Sequence, residues 1–278
     1  MRAIVRRLAV ALLFVAPAAA FAQQPATRVL EEMTWTEIRD AIAAGNKTVI
    51  IPVGGTEQNG PHMVMGKHNY VISFAARRMA EQLGNALVGP TVQYVPEGNY
   101  DSPNFGARPG VLSNPSPSYE NLLEAAARSL RVHGFTEILY IGDSGGNQNG
   151  MSAVAEKLNQ EWAGGPTRVF ALTDYYQKGQ EHARAWLQAQ YGYDMATIGS
   201  HAGITDTSAM LYVFPDGVRT DRLKPNGGSP DSGVRGDPTK ATREIGRMVI
   251  EFKVNAALGQ LAGLKAPPRG RGGRGGPG

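Results

Sequence analysis

The sequence predicts an α/β fold, a three-layer α/β/α sandwich with a mostly parallel sheet. Short apolar runs recur along the chain, helical patterns of apolar residues separate them, and Gly-rich polar turns follow several runs. Strands that are apolar throughout are typical of parallel sheets covered by helices on both faces. The alternation of strands and helices is typical of a doubly wound sandwich.

Four apolar runs are predicted to be strands, at 48–53, 86–88, 138–141 and 169–172. Between them, apolar residues repeat at helical spacing and predict core-facing helices. These stripes are Val71, Ala75, Met79 and Leu83; Leu122, Ala126 and Leu130; Val154 and Leu158; and Ile245, Met248, Val249, Phe252 and Ala256. Loops 96–117 and 215–238 are rich in Pro and Gly and are candidate pocket walls.

The two ends are predicted to lie outside the folded domain. A basic start with Arg2, Arg6 and Arg7, a short apolar run and Ala20-Phe21-Ala22 together predict a signal peptide at 1–22. An uncleaved anchor is the alternative. Residues 23–265 are expected to form the α/β domain, and the Gly/Arg/Pro-rich tail 266–278 to be disordered. The mature protein is expected to be exported, periplasmic or secreted, and no later stretch predicts a membrane span.

Charge and cysteine content exclude several classes of protein. The 278 residues carry a net charge of +4, but the leader and the tail each contribute three arginines and no acid. The remaining domain is slightly acidic, which argues against a nucleic-acid-binding surface. The chain has no Cys, which excludes disulfides, thiolate metal sites, iron–sulfur clusters and a cysteine nucleophile.

Polar residues follow the apolar runs, at the sheet edge where parallel α/β folds bind ligands. The candidates are Glu57, Asn59, His62 and His68 after the first run, Asp143, Ser144 and Asn147 after the third, and His201 and Asp206 in a later turn. Carboxylates with imidazoles suit a zinc or manganese ion that keeps a position open for water. Alternatively, Glu57 and Asp143 cap helix N-termini.

Ser144 lies in a Gly-rich turn, Gly142-Asp143-Ser144-Gly145-Gly146-Asn147. This turn is similar to the surroundings of a serine nucleophile but does not match Gly-x-Ser-x-Gly. It also lacks the residues of a P-loop or a dinucleotide fingerprint. Ser144 is therefore a candidate nucleophile on weak motif grounds.

Five motifs in order resemble the creatininase (creatinine amidohydrolase) family, over Met33 to about Leu261. The first, at 52–62 with 66–68, is similar to the family's Pro-Val-Gly-Ser-x-Glu-Gln-His-Gly-Pro-His and Gly-Thr-Asp. The others lie at 109–113, 142–147, 201–208 and 233–238. The resemblance implies a creatininase-like α/β/α sandwich, a hydrolase activity on a small-molecule substrate, and a homo-oligomer.

The resemblance also implies a ligand set, which this chain alters. The family holds one or two divalent metals with Glu, His, Asp, His and a further Glu. Only Glu57 keeps its type; Asn59, His68, Ser144 and Asp206 stand at the other four positions. The changes predict a rebuilt site with one metal per chain rather than two. Its expected ligands are Glu57, His68 and Asp143, with His62 or Asp206 as a fourth ligand or as a hydrogen-bond partner of a ligand.

The expected function is metal-dependent hydrolysis of a C–N bond in a small amide, cyclic amides included. His201 is expected to protonate the leaving nitrogen and Asp206 to assist as a base. Asn59, Ser144 and Asn147 are expected to contact the substrate. The alternatives are an exported, non-catalytic ligand-binding protein on the same scaffold, and a hydrolase of lactones or C–C bonds.

Overall fold

The computed structural model describes residues 26–102 and 108–266. The predicted signal peptide lies outside the described residues, as do nearly all of the predicted tail and positions 103–107 of the first loop. The signal peptide, export and oligomerisation stay predictions. None of the described helices is long and apolar enough to cross a bilayer.

The sheet has four parallel strands in the order β2-β1-β3-β4. The strands are β1 (Thr48–Val53), β2 (Ala86–Val88), β3 (Glu137–Gly142) and β4 (Arg168–Ala171). They match the four predicted runs within one residue at each end. The helices are α1 (Trp35–Ala43), α2 (Lys67–Leu83), α3 (Ser116–Val132), α4 (Gln148–Glu161), α5 (Gln177–Tyr191), α6 (Met195–Ile198), α7 (Ile204–Val213) and α8 (Arg243–Lys265).

Alternate residues of the central strands enter two separate cores. In β3, Ile138 and Tyr140 pack with α1, α3 and α4 on one face of the sheet. Leu139 and Ile141 pack with α2, α5, α7 and α8 on the other. Both faces are buried, which explains why the strand sequence is apolar throughout. The predicted α/β/α sandwich with a parallel sheet is confirmed.

Of the stripe predicted to be buried on α3, Ala126 and Leu130 are partly buried against the core, and the prediction is wrong for Leu122. Leu122 is 41% exposed, whereas Tyr119, Leu123 and Ala127 are fully buried. The buried face begins with a tyrosine, whose hydroxyl donates a hydrogen bond to the carbonyl of Asn147 (3.1 Å). Tyr119 adds a large ring to the core and a polar tip that reaches the turn after β3, so the helix turns that face inward.

Helix α8 packs against α7 through Gly246. A Cβ at this position would lie 1.9 Å from the carbonyl oxygen of Ser208. We expect Gly246→Ala to lower the free energy of unfolding by about 1–3 kcal/mol, because the two helices must move apart. Gly259 on the same helix has nothing within 4 Å of such a Cβ, so Gly259→Ala should stabilise the protein by up to about 1 kcal/mol. Urea denaturation of both variants measures the difference; equal effects would contradict this packing.

Candidate functional site

The site lies at the carboxyl ends of β1 and β3. The turn after β1 is tied to the turn after β3, since the side-chain amide of Asn147 donates to the carbonyl of Gly54 (3.2 Å). The backbone N–H of Asp143 also donates to the carbonyl of Val53 (3.1 Å). Helix α2 begins beside these turns, and α7 and α8 contact it from the same side of the sheet. The turns that follow β1 and β3 therefore meet at this edge of the sheet.

His68 stands between two carboxylates. Its Nε2 is 2.6 Å from Oε1 of Glu57, and its Nδ1 is 2.8 Å from Oδ2 of Asp143. Burial and the charge of Lys67 lower the pKa of His68, but hydrogen bonds to Asp143 and Glu57 outweigh them and leave it raised. With an acceptor at each nitrogen, the ring is an imidazolium that donates to both carboxylates.

Asp143 has a second cationic partner. The ammonium of Lys253, on α8, lies 2.5 Å from Oδ1 of Asp143, and both side chains are buried. Burial alone would raise the pKa of Asp143. The charge of Lys253 and the hydrogen bond from His68 outweigh burial and hold that pKa well below its usual range. Each oxygen of this carboxylate is therefore committed to a cation.

A second buried pair lies beside the first. The ammonium of Lys67 is 3.6 Å from Oδ1 of Asp206, and Oδ2 of Asp206 accepts the backbone N–H of Ala202 (2.8 Å). Ala202 has a φ of 52°, a strained value for a residue other than glycine. Asp206 therefore holds the turn that carries His201, and its carboxylate is engaged in that turn.

His201 is a partly exposed residue of the site. Its Nδ1 donates to the carbonyl of Gly233 (2.7 Å), and its Nε2 lies 3.2 Å from Oε1 of Glu57. The side chain is 27% exposed. Burial lowers the pKa of His201, but the hydrogen bond and charge of Glu57 outweigh burial and raise it. His201 is thus a partly accessible proton donor.

Glu97 is a site residue that the sequence analysis missed. Its Oε2 accepts a hydrogen bond from the hydroxyl of Ser144 (3.3 Å), and its buried Oε1 has no hydrogen-bond partner. Burial, reinforced by the charge of Glu57, raises the pKa of Glu97 to about 7. A Cβ on Gly55 would lie 2.0 Å from this Oε1, and one on Gly146 would meet the carbonyl of Pro96. Because Gly55 and Gly146 have no side chains, the loop that carries Glu97 can pack closely against both turns.

Three of the predicted site residues are buried, and their hydrogen bonds go to neighbouring parts of the protein. His62 is fully buried, with Nε2 3.0 Å from the hydroxyl of Thr207, and burial lowers its pKa. Its Nδ1 is buried without a hydrogen-bond partner among the described residues, and His62 forms no hydrogen bond there to Glu57, His68 or Asp143. Asn147 and Asn59 are also fully buried. Asn147 accepts the N–H of Ser144 (2.7 Å), and the amide of Asn59 donates to the carbonyl of Glu57 (3.0 Å).

The family model for Creatininase, described as creatinine amidohydrolase, matches residues 31–261. The chain belongs to the Creatininase family. This confirms the family that the motifs indicated.

Relatives of known name include creatinine amidohydrolase from Pseudomonas putida, 25% identical over 80% of this chain and 92% of that protein. Another is the mycofactocin precursor peptide peptidase of Mycolicibacterium smegmatis, 26% identical over 77% and 83%. A crystal structure of creatininase is similar with a TM-score of 0.68, at 24% identity over 88% of this chain and all of that one. These named relatives are hydrolases.

Solved creatininases include a zinc form at 25% identity (TM-score 0.68) and a manganese form at 24% (TM-score 0.67). The described residues of this chain do not fit such an ion. They contain no group of three or more His, Asp or Glu side chains arranged to hold a metal. Both nitrogens of His68 face carboxylates and both oxygens of Asp143 face cations, so a metal ion here would have to take a proton from His68 and displace the ammonium of Lys253.

The paired charges make stability depend on pH in two directions. Glu57 and Asp143 have lowered pKa values, so their contribution is present above about pH 4 and is lost as the pH falls toward the folded-state values. His68 and His201 have raised pKa values. Their contribution to stability is therefore complete below about pH 6.5 and is lost as the pH rises through the folded-state pKa values. We expect the Tm to peak between these limits in scanning calorimetry. A Tm that is flat across acid and alkaline pH would contradict the pairing.

Proposed function

We propose that this Creatininase-family hydrolase cleaves the C–N bond of a small amide, cyclic amides included, and that Glu97 and Ser144 carry the reaction. The observation behind the proposal is the contact between the Ser144 hydroxyl and the buried carboxyl of Glu97, whose pKa is raised to about 7. A carboxyl with such a pKa can take up and return a proton near neutral pH. Amidohydrolase and peptidase, the names of two relatives, both describe C–N bond hydrolysis.

In the proposed first half-reaction, ionised Glu97 takes the hydroxyl proton as Oγ of Ser144 attacks the amide carbon. A C–O bond forms, and the C–N bond breaks as protonated Glu97 passes the proton to the leaving nitrogen. The products of this step are an ester on Ser144 and a free amine. Water, deprotonated by Glu97, then cleaves the ester and regenerates both side chains. The sum is amide plus water giving a carboxylic acid and an amine.

His201 is the second proton donor in this proposal. It contacts Glu57, whose charge also raises the pKa of Glu97, so one carboxylate acts on both titratable groups. An imidazolium there stabilises negative charge that develops on the carbonyl oxygen. If His201 instead gives the proton to the leaving nitrogen, it must take one back from Glu97 before Glu97 can deprotonate the water. Glu57 fixes the charge of His201 and is not itself free to act as the base.

The test is a panel of cyclic amides including creatinine, short peptides and lactones, with amine and acid release as readouts. We expect an amide to be hydrolysed, Ser144→Ala to lose turnover, and slow substrates to leave an acyl group on Ser144 that mass spectrometry detects. Ser129, exposed on α3 and bonded to a backbone carbonyl, is the control position: Ser129→Ala should keep full activity.

Other outcomes separate the alternatives. Full activity in Ser144→Ala would assign the attack to water that Glu97 activates directly. Hydrolysis of lactones alone would replace the C–N proposal with ester chemistry. Binding without turnover would favour a non-catalytic ligand-binding protein, a function that the mutual pairing of the charges around His68 also suits.

A further inference from the structure

Three positive charges are buried together beside Glu57, Asp143 and Asp206. The exposed fractions are 2% for Lys67, 4% for His68 and 4% for Lys253. Lysine is almost never fully buried unless it is paired, and each of these cations has a carboxylate partner in the same cluster. Three cations against three carboxylates leave the cluster close to neutral.

The position of Lys253 is built into the helix packing. Gly179 on α5 lies against it: a Cβ there would come 2.7 Å from Cα and 2.8 Å from Cγ of Lys253. The ammonium also lies 5.2 Å from the centre of the Tyr175 ring, within reach of a cation–π interaction. Gly179, which has no side chain, and the ring of Tyr175 thus leave room for Lys253 and direct its ammonium toward Asp143.

Room for a further ion is small. The cavity between Lys67, Asp143, Asp206 and Lys253 has a volume of about 10 Å³, close to one water molecule. A divalent cation on Asp143 would have to displace the Lys253 ammonium and remove a proton from His68. It would also meet the remaining buried positive charge of Lys67.

We infer that Lys67, His68 and Lys253 supply from within the chain the positive charge that zinc or manganese supplies in metal-bound creatininases, so this centre does not take up a divalent cation. The inference concerns binding and folding, and it holds whether or not the proposed amide hydrolysis occurs.

The test is calorimetric and thermal titration with Zn²⁺ and Mn²⁺ of the chain after treatment with a chelator. For wild type we expect no saturable heat of binding and no shift in Tm. In Lys253→Met the carboxylate of Asp143 loses one partner. We expect its Tm to fall, and Zn²⁺ or Mn²⁺ to raise it again, because one oxygen of Asp143 becomes available as a ligand and His68 can give up its proton to the bound ion.

The control is Lys178→Met on α5, which removes a lysine from an exposed ion pair with Asp174 and should behave like wild type with and without metal. Saturable binding of about one ion or more per chain by wild type would overturn the inference. So would a folded Lys253→Met protein whose Tm no divalent ion raises. If Lys253→Met does not fold, the wild-type titration alone decides.

Discussion

Asp143→Asn should lower the free energy of unfolding by about 3–5 kcal/mol, the cost of breaking a buried ion pair by removing one partner. Asn has nearly the same shape as Asp but no charge, so the imidazolium of His68 and the ammonium of Lys253 lose the anion that they share. Urea denaturation measures this loss. Lys253 loses its carboxylate partner in this variant, whereas His68 keeps Glu57.

The matched control is Glu244→Gln, which removes the carboxylate of an exposed pair with Arg247 on α8. Surface pairs of this kind contribute little, and we expect no measurable change in Tm. If Asp143→Asn were as stable as this control, the buried cluster would not hold the fold together at the strand ends.

Glu97→Gln is expected to lower kcat by about 100- to 10,000-fold on whichever amide the panel identifies, the usual contribution of a general acid–base group. Gln neither takes nor returns a proton. Its stability should equal or exceed that of wild type, because the substitution removes a carboxyl that is buried beside Glu57.

The pH dependence of the rate gives a second readout for Glu97. The base must be ionised, so wild-type kcat should rise as the pH passes about 7, the raised pKa of Glu97, and this step should be missing in Glu97→Gln. Glu156→Gln, at an exposed position of α4, should keep the wild-type rate and profile. If Glu97→Gln changed neither kcat nor its pH profile, Glu97 would have no part in the mechanism.

The sheet could be predicted from sequence because β1 and β3 are buried on both faces and therefore read as unbroken apolar runs. The buried face of α3 could not, because two neighbouring apolar stripes compete there. The deciding residue is Tyr119, whose hydroxyl needs the Asn147 carbonyl as a partner. Only the fold brings that carbonyl within reach.

The convergence of Glu57, His68, Asp143 and His201 followed from their places after strands or in a Gly-rich turn. The lysine partner of Asp143 could not be predicted from the sequence, because Lys253 is 110 residues away along the chain. A signal was nevertheless present: Lys253 interrupts the apolar spacing from Val249 to Ala257.

Lys67, like Lys253, is a lysine in line with an apolar stripe. It lies one turn before the stripe of α2 that begins at Val71. A lysine at a core position of a helix predicts a buried anion. A single glutamate in an irregular loop, such as Glu97, has no spacing that could identify it.

We propose that this Creatininase-family chain holds its own cations where metal-bound creatininases hold zinc or manganese. The most direct test is the rate of amide hydrolysis by chelator-treated protein, measured before and after addition of Zn²⁺ or Mn²⁺. We predict the same rate in both conditions. A rate that disappears with the chelator and returns with either ion would contradict the claim.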